Sequence, residues 1–130
     1  MTVSEPAYRP RVLVVEDEAP LRELIVVTLG DSYVCEEAAD GDAALAVLEE
    51  RPPDLVFLDV MLPGIGGIDI LRKMRADPKL RDVPVVVVSA WQGAEDVKVA
   101  LESGADRFVA KPFRVDELAS VADELVGRVP

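Results

Sequence analysis

Four short hydrophobic runs in this chain each end on a polar residue suited to phosphate or metal chemistry. VLVV (12–15) runs into Glu16-Asp17, LVFL (55–58) into Asp59, VVVV (85–88) into Ser89, and FVA (108–110) into Lys111. Continuous β-branched and aliphatic runs of this length suit strands buried on both faces, as in a parallel sheet. Parallel strands point one way, so the polar residues that end them emerge along one edge of one sheet. Two or three carboxylates, a hydroxyl and an ammonium would then share a cleft. Such a set is suited to holding a divalent cation and receiving a phosphoryl group on an aspartate.

The segments between the runs carry helical signals. Residues 1–10 are polar, hold two prolines and show no periodicity, so a loose tail precedes a folded domain over 11–128. Val12–Val15 is the first strand. Pro20 suits the first turn of the helix LRELIVVTL, which stops at Gly30. Tyr33–Glu36 reads as the second strand, and Asp40 as the N-cap of AALAVLEE, which Pro52-Pro53 ends. After Leu55–Leu58 comes the loop MLPGIGG, then the helix IDILRKMRA with Ile68, Leu71 and Met74 on one face. Val85–Val88, the helix AEDVKVALES, Phe108–Ala110 and a last helix over Val115–Val126 complete the series. In that helix Leu118, Val121 and Leu125 form the apolar stripe. Five alternating strand–helix units predict an α/β, doubly wound (βα)5 three-layer sandwich of flavodoxin-like strand order 2-1-3-4-5. Its switch point lies between the first and third strands, where ligands bind at the carboxyl ends. Glu16-Asp17 and Asp59 sit at those ends, so topology and chemistry select the same residues.

Composition narrows the function classes. The net charge of −11, from 25 acidic and 14 basic residues, opposes nucleic-acid binding by this domain alone and docking on an anionic membrane. No apolar stretch approaches the roughly 18 residues of a spanning helix. The N-terminus lacks the basic start and apolar run of a secretory signal, which leaves the cytoplasm as the expected location. There is no histidine, which removes the commonest general base and transition-metal ligand. The single Cys35 has no internal disulfide partner and reads as a small buried residue.

Each polar strand end has an ordinary reading beside the chemical one. Glu16-Asp17-Glu18 is an acidic solvated turn or, given the buried strand before it, a metal site. Converging carboxylates repel, and a bound cation relieves them. All-oxygen ligation points to a hard ion, Mg²⁺ (or Mn²⁺). Asp59 is a loop cap or a nucleophile toward phosphorus. Lys111 is a surface charge or a partner of phosphoryl oxygens. Ser89 closes a strand or hydrogen-bonds a phosphoryl oxygen.

Taken together, VVEDE, FLDVMLPG, VVVSA and FVAKPF, in this order and spacing, closely resemble the response-regulator receiver family over about residues 11–128. The resemblance implies that Asp59 is the phosphoacceptor and that Asp17 is a direct metal ligand. Glu16 would act through water, and the Met61 backbone carbonyl would be the third protein ligand. It implies that Ser89 is the switch hydroxyl, Lys111 the lysine paired with the phosphoryl group, and Phe108 the aromatic switch residue. It also implies a cis Lys111-Pro112 peptide. Phe108 lacks the hydroxyl of the tyrosine common at this position, so an inward flip would be purely apolar. Met61 and Trp91 lie two residues beyond Asp59 and Ser89. Both are bulky enough to shield an acyl phosphate from water, which predicts slow self-dephosphorylation; Trp91 is equally a candidate partner contact.

The function implied is a phosphorylation-activated switch of a two-component or phosphorelay system. It would take its phosphoryl group from a sensor histidine kinase or histidine phosphotransfer protein, and act on a downstream protein target or output domain. A homodimer formed on phosphorylation is left open. The chain ends after the fifth helix, and ADPKLRDVP resembles stand-alone receivers more than transcription-factor ones. Two other classes compete. A scaffold receiver would lose the acceptor, an acidic residue or the lysine, all of which are present here. A Mg²⁺-dependent aspartate-nucleophile phosphatase needs an aspartate where Met61 stands. The expectation is therefore no turnover enzyme, only self-phosphotransfer and slow autodephosphorylation.

Overall fold

A computed structural model describes residues 9–90 and 93–126. Strand β1 (Arg11–Val15) leads into helix α1 (Ala19–Leu29), and β2 (Val34–Ala38) into α2 (Gly41–Glu50). Then follow β3 (Leu55–Leu58), α3 (Gly67–Ala76), β4 (Val85–Ser89), α4 (Ala94–Glu102), β5 (Arg107–Ala110) and α5 (Val115–Val126). The strands form one parallel sheet of order β2-β1-β3-β4-β5, as the sequence predicts.

The alternation of side chains along the buried strands builds two cores. Leu13, Val56, Leu58, Val85 and Val87 face α2, α3 and α4. Val12, Val14, Leu55, Phe57, Val86 and Val88 face α1 and α5. A strand enclosed this way is apolar at every position, which is why β3 and β4 read as unbroken runs. The helices start and stop where local chemistry dictates. Pro20 sits in the first turn of α1, and Gly30 ends it at φ +62°. The Asp40 carboxylate caps α2 by accepting from the Ala43 N–H at 2.8 Å.

Two local readings need correction, and a third is extended. Strand β2 begins at Val34, one residue later than expected. Tyr33 belongs to the α1–α5 core through its buried ring, and its hydroxyl donates to Asp123. The α3 face of Ile68, Leu71 and Met74 packs on one core, with Ile68 half-buried, and it also includes the buried Gly67 and Ile70. Cys35 is half-buried rather than enclosed, because β2 is an edge strand. Partial burial, with Glu37 nearby, still raises its thiol pKa.

Arg75, at the end of α3, holds together segments that the sequence keeps apart. Its Nε donates to the Gly104 carbonyl at 3.0 Å, and its Nη1 to the carbonyls of Arg81 and Val83 at 3.1 and 2.8 Å. Its Nη2 reaches Asp106 at 3.1 Å. The same Asp106 oxygen accepts the Val85 N–H at 2.8 Å, which ties the starts of β4 and β5. Arg75→Ala strands several part-buried acceptors. We expect a loss of about 2–3 kcal/mol in urea denaturation, from these charge-assisted bonds.

Candidate functional site

The site lies where the C-terminal ends of β1, β3, β4 and β5 meet. Backbone bonds extend the sheet past its last ladder positions and fix the polar residues in register. The Glu16 N–H donates to Ala38 O at 3.0 Å, Asp59 N–H to Val15 O at 3.1 Å, and Lys111 N–H to Ser89 O at 2.9 Å. Glu16 and Asp59 are buried, while Asp17 is exposed. One carboxylate oxygen from each of the three lies within 4.8 Å of the others.

The Lys111 ammonium bridges the two buried members. Nζ stands 2.9 Å from Glu16 Oε1 and 2.8 Å from Asp59 Oδ2. The other Asp59 oxygen accepts the Met61 N–H at 2.9 Å, and Glu16 Oε2 accepts the Glu18 N–H at 3.1 Å. Burial raises the Glu16 pKa; the Lys111 and Glu18 bonds oppose this and the nearby Asp59 adds to it. For Lys111, burial by itself would lower the pKa, but the hydrogen bonds to Asp59 and Glu16 outweigh it and the result is raised. A single ammonium among three carboxylates leaves the cluster negative. An all-oxygen, net-negative set of this size fits a hard divalent cation, and Asp17, Asp59 and Glu16 are the side chains that would hold it.

A cleft of about 240 Å³ opens over these groups, lined by Asp17, Glu18, Asp59, Met61, Ala90 and Lys111. Met61 is 59% exposed and stands beside the Asp59 carboxylate. Ser89 is fully buried at the end of β4, opposite Ala110. Phe108 is half-buried and packs on the α2-α3-α4 side of the sheet. The Lys111-Pro112 peptide is cis. Trp91 lies outside the described residues. Topology thus brings Glu16, Asp17, Asp59, Met61 and Lys111 to one cleft, with Ser89 beneath its edge and Phe108 one strand over.

Reading the sequence named Glu18 within the acidic turn but not its role, and missed Arg22 and Gly67. Glu18 turns its N–H to Glu16 and lines the cleft. Arg22 Nη1 donates to the Glu16 carbonyl at 2.7 Å, and its Nε pairs with Glu37 at 3.0 Å, binding α1 to the strand ends. Gly67 packs against the backbone carbonyl of Asp59. The paired glycines of MLPGIGG were the only sequence signal for either missed residue.

A family model for the response regulator receiver domain matches residues 12–123. The chain is 44% identical over 113 residues to the DNA-binding response regulator MtrA of Mycobacterium tuberculosis H37Rv, covering 86% of this chain and 48% of that protein. It is also 44% identical over 111 residues to the phosphate regulon transcriptional regulatory protein PhoB of Pseudomonas aeruginosa, covering 84% and 48%. The chain spans about half the length of both proteins. The receiver domain of the Francisella response regulator 1452 superposes with a TM-score of 0.86 at 30% identity, covering 92% of this chain and 98% of that one.

Proposed function

The chain belongs to the response regulator receiver family, and from that premise we propose that it is a phosphorylation-activated switch with Asp59 as acceptor. The donor is a sensor histidine kinase or histidine phosphotransfer protein, in the cytoplasm. The output is a protein target or an attached domain. The observation that carries this reading is the Lys111 ammonium bonded to Asp59 and Glu16, inside a three-carboxylate cluster.

In the step proposed, an Asp59 carboxylate oxygen attacks phosphorus in line. A P–O bond forms as the bond to the donor imidazole nitrogen breaks, and the imidazole leaves with that electron pair and takes up a proton. Lys111 is placed to move its hydrogen bond from Asp59 to a phosphoryl oxygen. The Met61 N–H holds the other Asp59 oxygen and fixes the carboxylate plane. Mg²⁺ held by Asp17, Asp59 and the Met61 carbonyl, with Glu16 acting through water, would supply charge neutralisation at the phosphoryl oxygens. Ser89 then turns toward the phosphoryl group and Phe108 moves inward behind it, which repacks the face made by α4, β5 and α5. No turnover of a separate substrate is involved.

Intact mass after incubation with acetyl phosphate and Mg²⁺ tests this. The native chain gains one phosphoryl group, Asp59→Asn gains none, and prior chelation of Mg²⁺ prevents the gain. An adduct that persists on Asp59→Asn would overturn the assignment. No adduct, with no response of the Trp91 fluorescence to beryllofluoride, would favour a scaffold receiver.

The lifetime of the acyl phosphate is the second readout. The exposed Met61 lines the cleft and limits the approach of water to phosphorus. Met61→Asn, which offers water a hydrogen-bonding seat, is expected to shorten the phosphoryl half-life several-fold. An unchanged or longer half-life would remove Met61 from that role.

A further inference from the structure

Five of the chain's 14 Lys and Arg residues fall between positions 72 and 82, against two of its 25 Asp and Glu residues. A strongly acidic chain therefore carries one basic segment. Arg72, Lys73, Lys79 and Arg81 are exposed, and none forms an ion pair among the described residues. The dipole of α3 accounts for Lys73 and Arg75, which lie in its last turn. It does not account for Lys79 and Arg81, which lie beyond the helix.

These two cations project from a fixed backbone. The N–H groups of Leu80 and Arg81 both donate to Asp77 O at 2.9 Å, and the Val83 N–H donates to Leu80 O at 3.0 Å. The Asp77 carboxylate accepts the Lys79 N–H at 2.9 Å. Leu80 and Val83 are buried, and the Arg75 guanidinium draws the carbonyls of Arg81 and Val83 inward. The backbone that carries these charges is ordered before a partner arrives, so only side-chain freedom is lost on binding. Beside them, between α2 and α3, is a cleft of about 250 Å³ lined by Leu45, Leu48, Met74, Leu80 and Lys73, with Glu49 and Asp77 completing it.

We propose that Lys73, which lines the α2–α3 cleft, together with Lys79 and Arg81 on the turn that follows and Arg72 on the α4 side of α3, forms a docking surface for an acidic protein segment that carries an apolar side chain among its carboxylates. The cations pair with the carboxylates, and the apolar side chain enters the cleft. A protein segment fits better than a nucleic acid, because a duplex spreads its charge well beyond the patch, over a chain whose net charge is −11. A short peptide confines its charge to within about one Debye length, roughly 8 Å. Helix α3 starts against Asp59 and ends at the basic turn, so about 15 Å of helix separates the two surfaces. A partner bound there leaves the phosphorylation cleft open to its donor.

The test is an amide chemical-shift titration of the whole chain with a Glu-Glu-Leu-Glu-Glu peptide and, separately, with duplex DNA. Shifts over residues 72–83 and 45–48, reduced by added salt, are expected. In the variant carrying Arg72→Ser, Lys73→Ser, Lys79→Ser and Arg81→Ser, peptide binding should be about thirtyfold weaker, as for four lost surface ion pairs. All four residues are exposed and Arg75 is kept, so circular dichroism should show an unchanged fold. Shifts elsewhere, equal affinity in the variant, tighter binding of DNA than of peptide, or self-association lost in the variant would each overturn the proposal.

Discussion

Lys111→Met is expected to destabilise the metal-free protein by about 3–5 kcal/mol, and Mg²⁺ is expected to return much of that loss. Methionine keeps the stem and removes the charge, so the change isolates the ammonium. In the native chain the Lys111 side chain is 17% exposed and faces the Glu16 and Asp59 side chains, 2% and 5% exposed. Without it, Glu16 and Asp59 are buried with no cation between them, which costs more than the pair itself contributed. The pH dependence follows from Glu16. Burial already raises its pKa, and the Lys111 bond is the largest influence lowering it. Removing that bond raises the pKa further, so the folded variant binds a proton that the unfolded chain releases. The deficit therefore grows as pH rises through the carboxylate range and shrinks in acid. Urea denaturation with EDTA and with Mg²⁺, at both pH extremes, measures all of this. Equal stability of the two proteins in EDTA would mean that the bridge is not neutralising the cluster.

Gly67→Ala is expected to cost about 2–3 kcal/mol and to slow phosphorylation, whereas Gly66→Ala next to it changes neither appreciably. A Cβ on Gly67 would stand 2.3 Å from the Asp59 carbonyl oxygen and 2.6 Å from Val60 Cα. Both obstacles are backbone, so no side chain is able to swing aside. The start of α3 must back away from β3, and the residue it displaces is Asp59, the proposed acceptor. On Gly66 the nearest atom to a Cβ is 3.9 Å away and φ is −70°, which any residue adopts. Denaturation curves and the rate of adduct formation from acetyl phosphate, measured on both variants, separate this close approach from a general intolerance of the loop. Normal kinetics in Gly67→Ala would show that the loop absorbs the methyl group.

The contrast between those glycines also marks how far the sequence was legible. The buried strands announced themselves because every residue of β3 and β4 is enclosed, and the polar residue after each apolar run is conspicuous for that reason. Alternation and handedness implied a parallel sheet covered on both faces; the strand order itself is not written in the sequence, and 2-1-3-4-5 is the common order for five strands. Edge strand β2 was harder, since a half-solvated VCEEA has no clean period and Tyr33 looks like strand while serving the helical side. The face of α3 was read in part: Leu71 and Met74 are buried and Ile68 packs half-buried on the same core, but Ile70, equally apolar, was left out. Arg75 was not legible at all: its acceptors are mostly main-chain carbonyls, which carry no residue signature. The cleft was readable as a set of residues, but the doubly bonded Lys111 emerged only from the geometry.

Asp106 has a consequence for how strands β4 and β5 respond to events in the cleft. Its carboxylate holds the Val85 N–H, its own N–H donates to Val85 O at 2.8 Å, and Arg75 grips it from α3. The two strands are thus riveted at the end remote from Asp59, while their other ends carry Ser89 and Lys111. Two of these bonds join the strands, and the third fastens that end to α3. The other end is closed as well, by the ladder up to Ser89 and Ala110 and by the Lys111 N–H on Ser89 O at 2.9 Å. The pair is therefore clamped at both ends and moves as one plate, so a displacement of Ser89 is carried to Lys111 rather than absorbed by the strands parting.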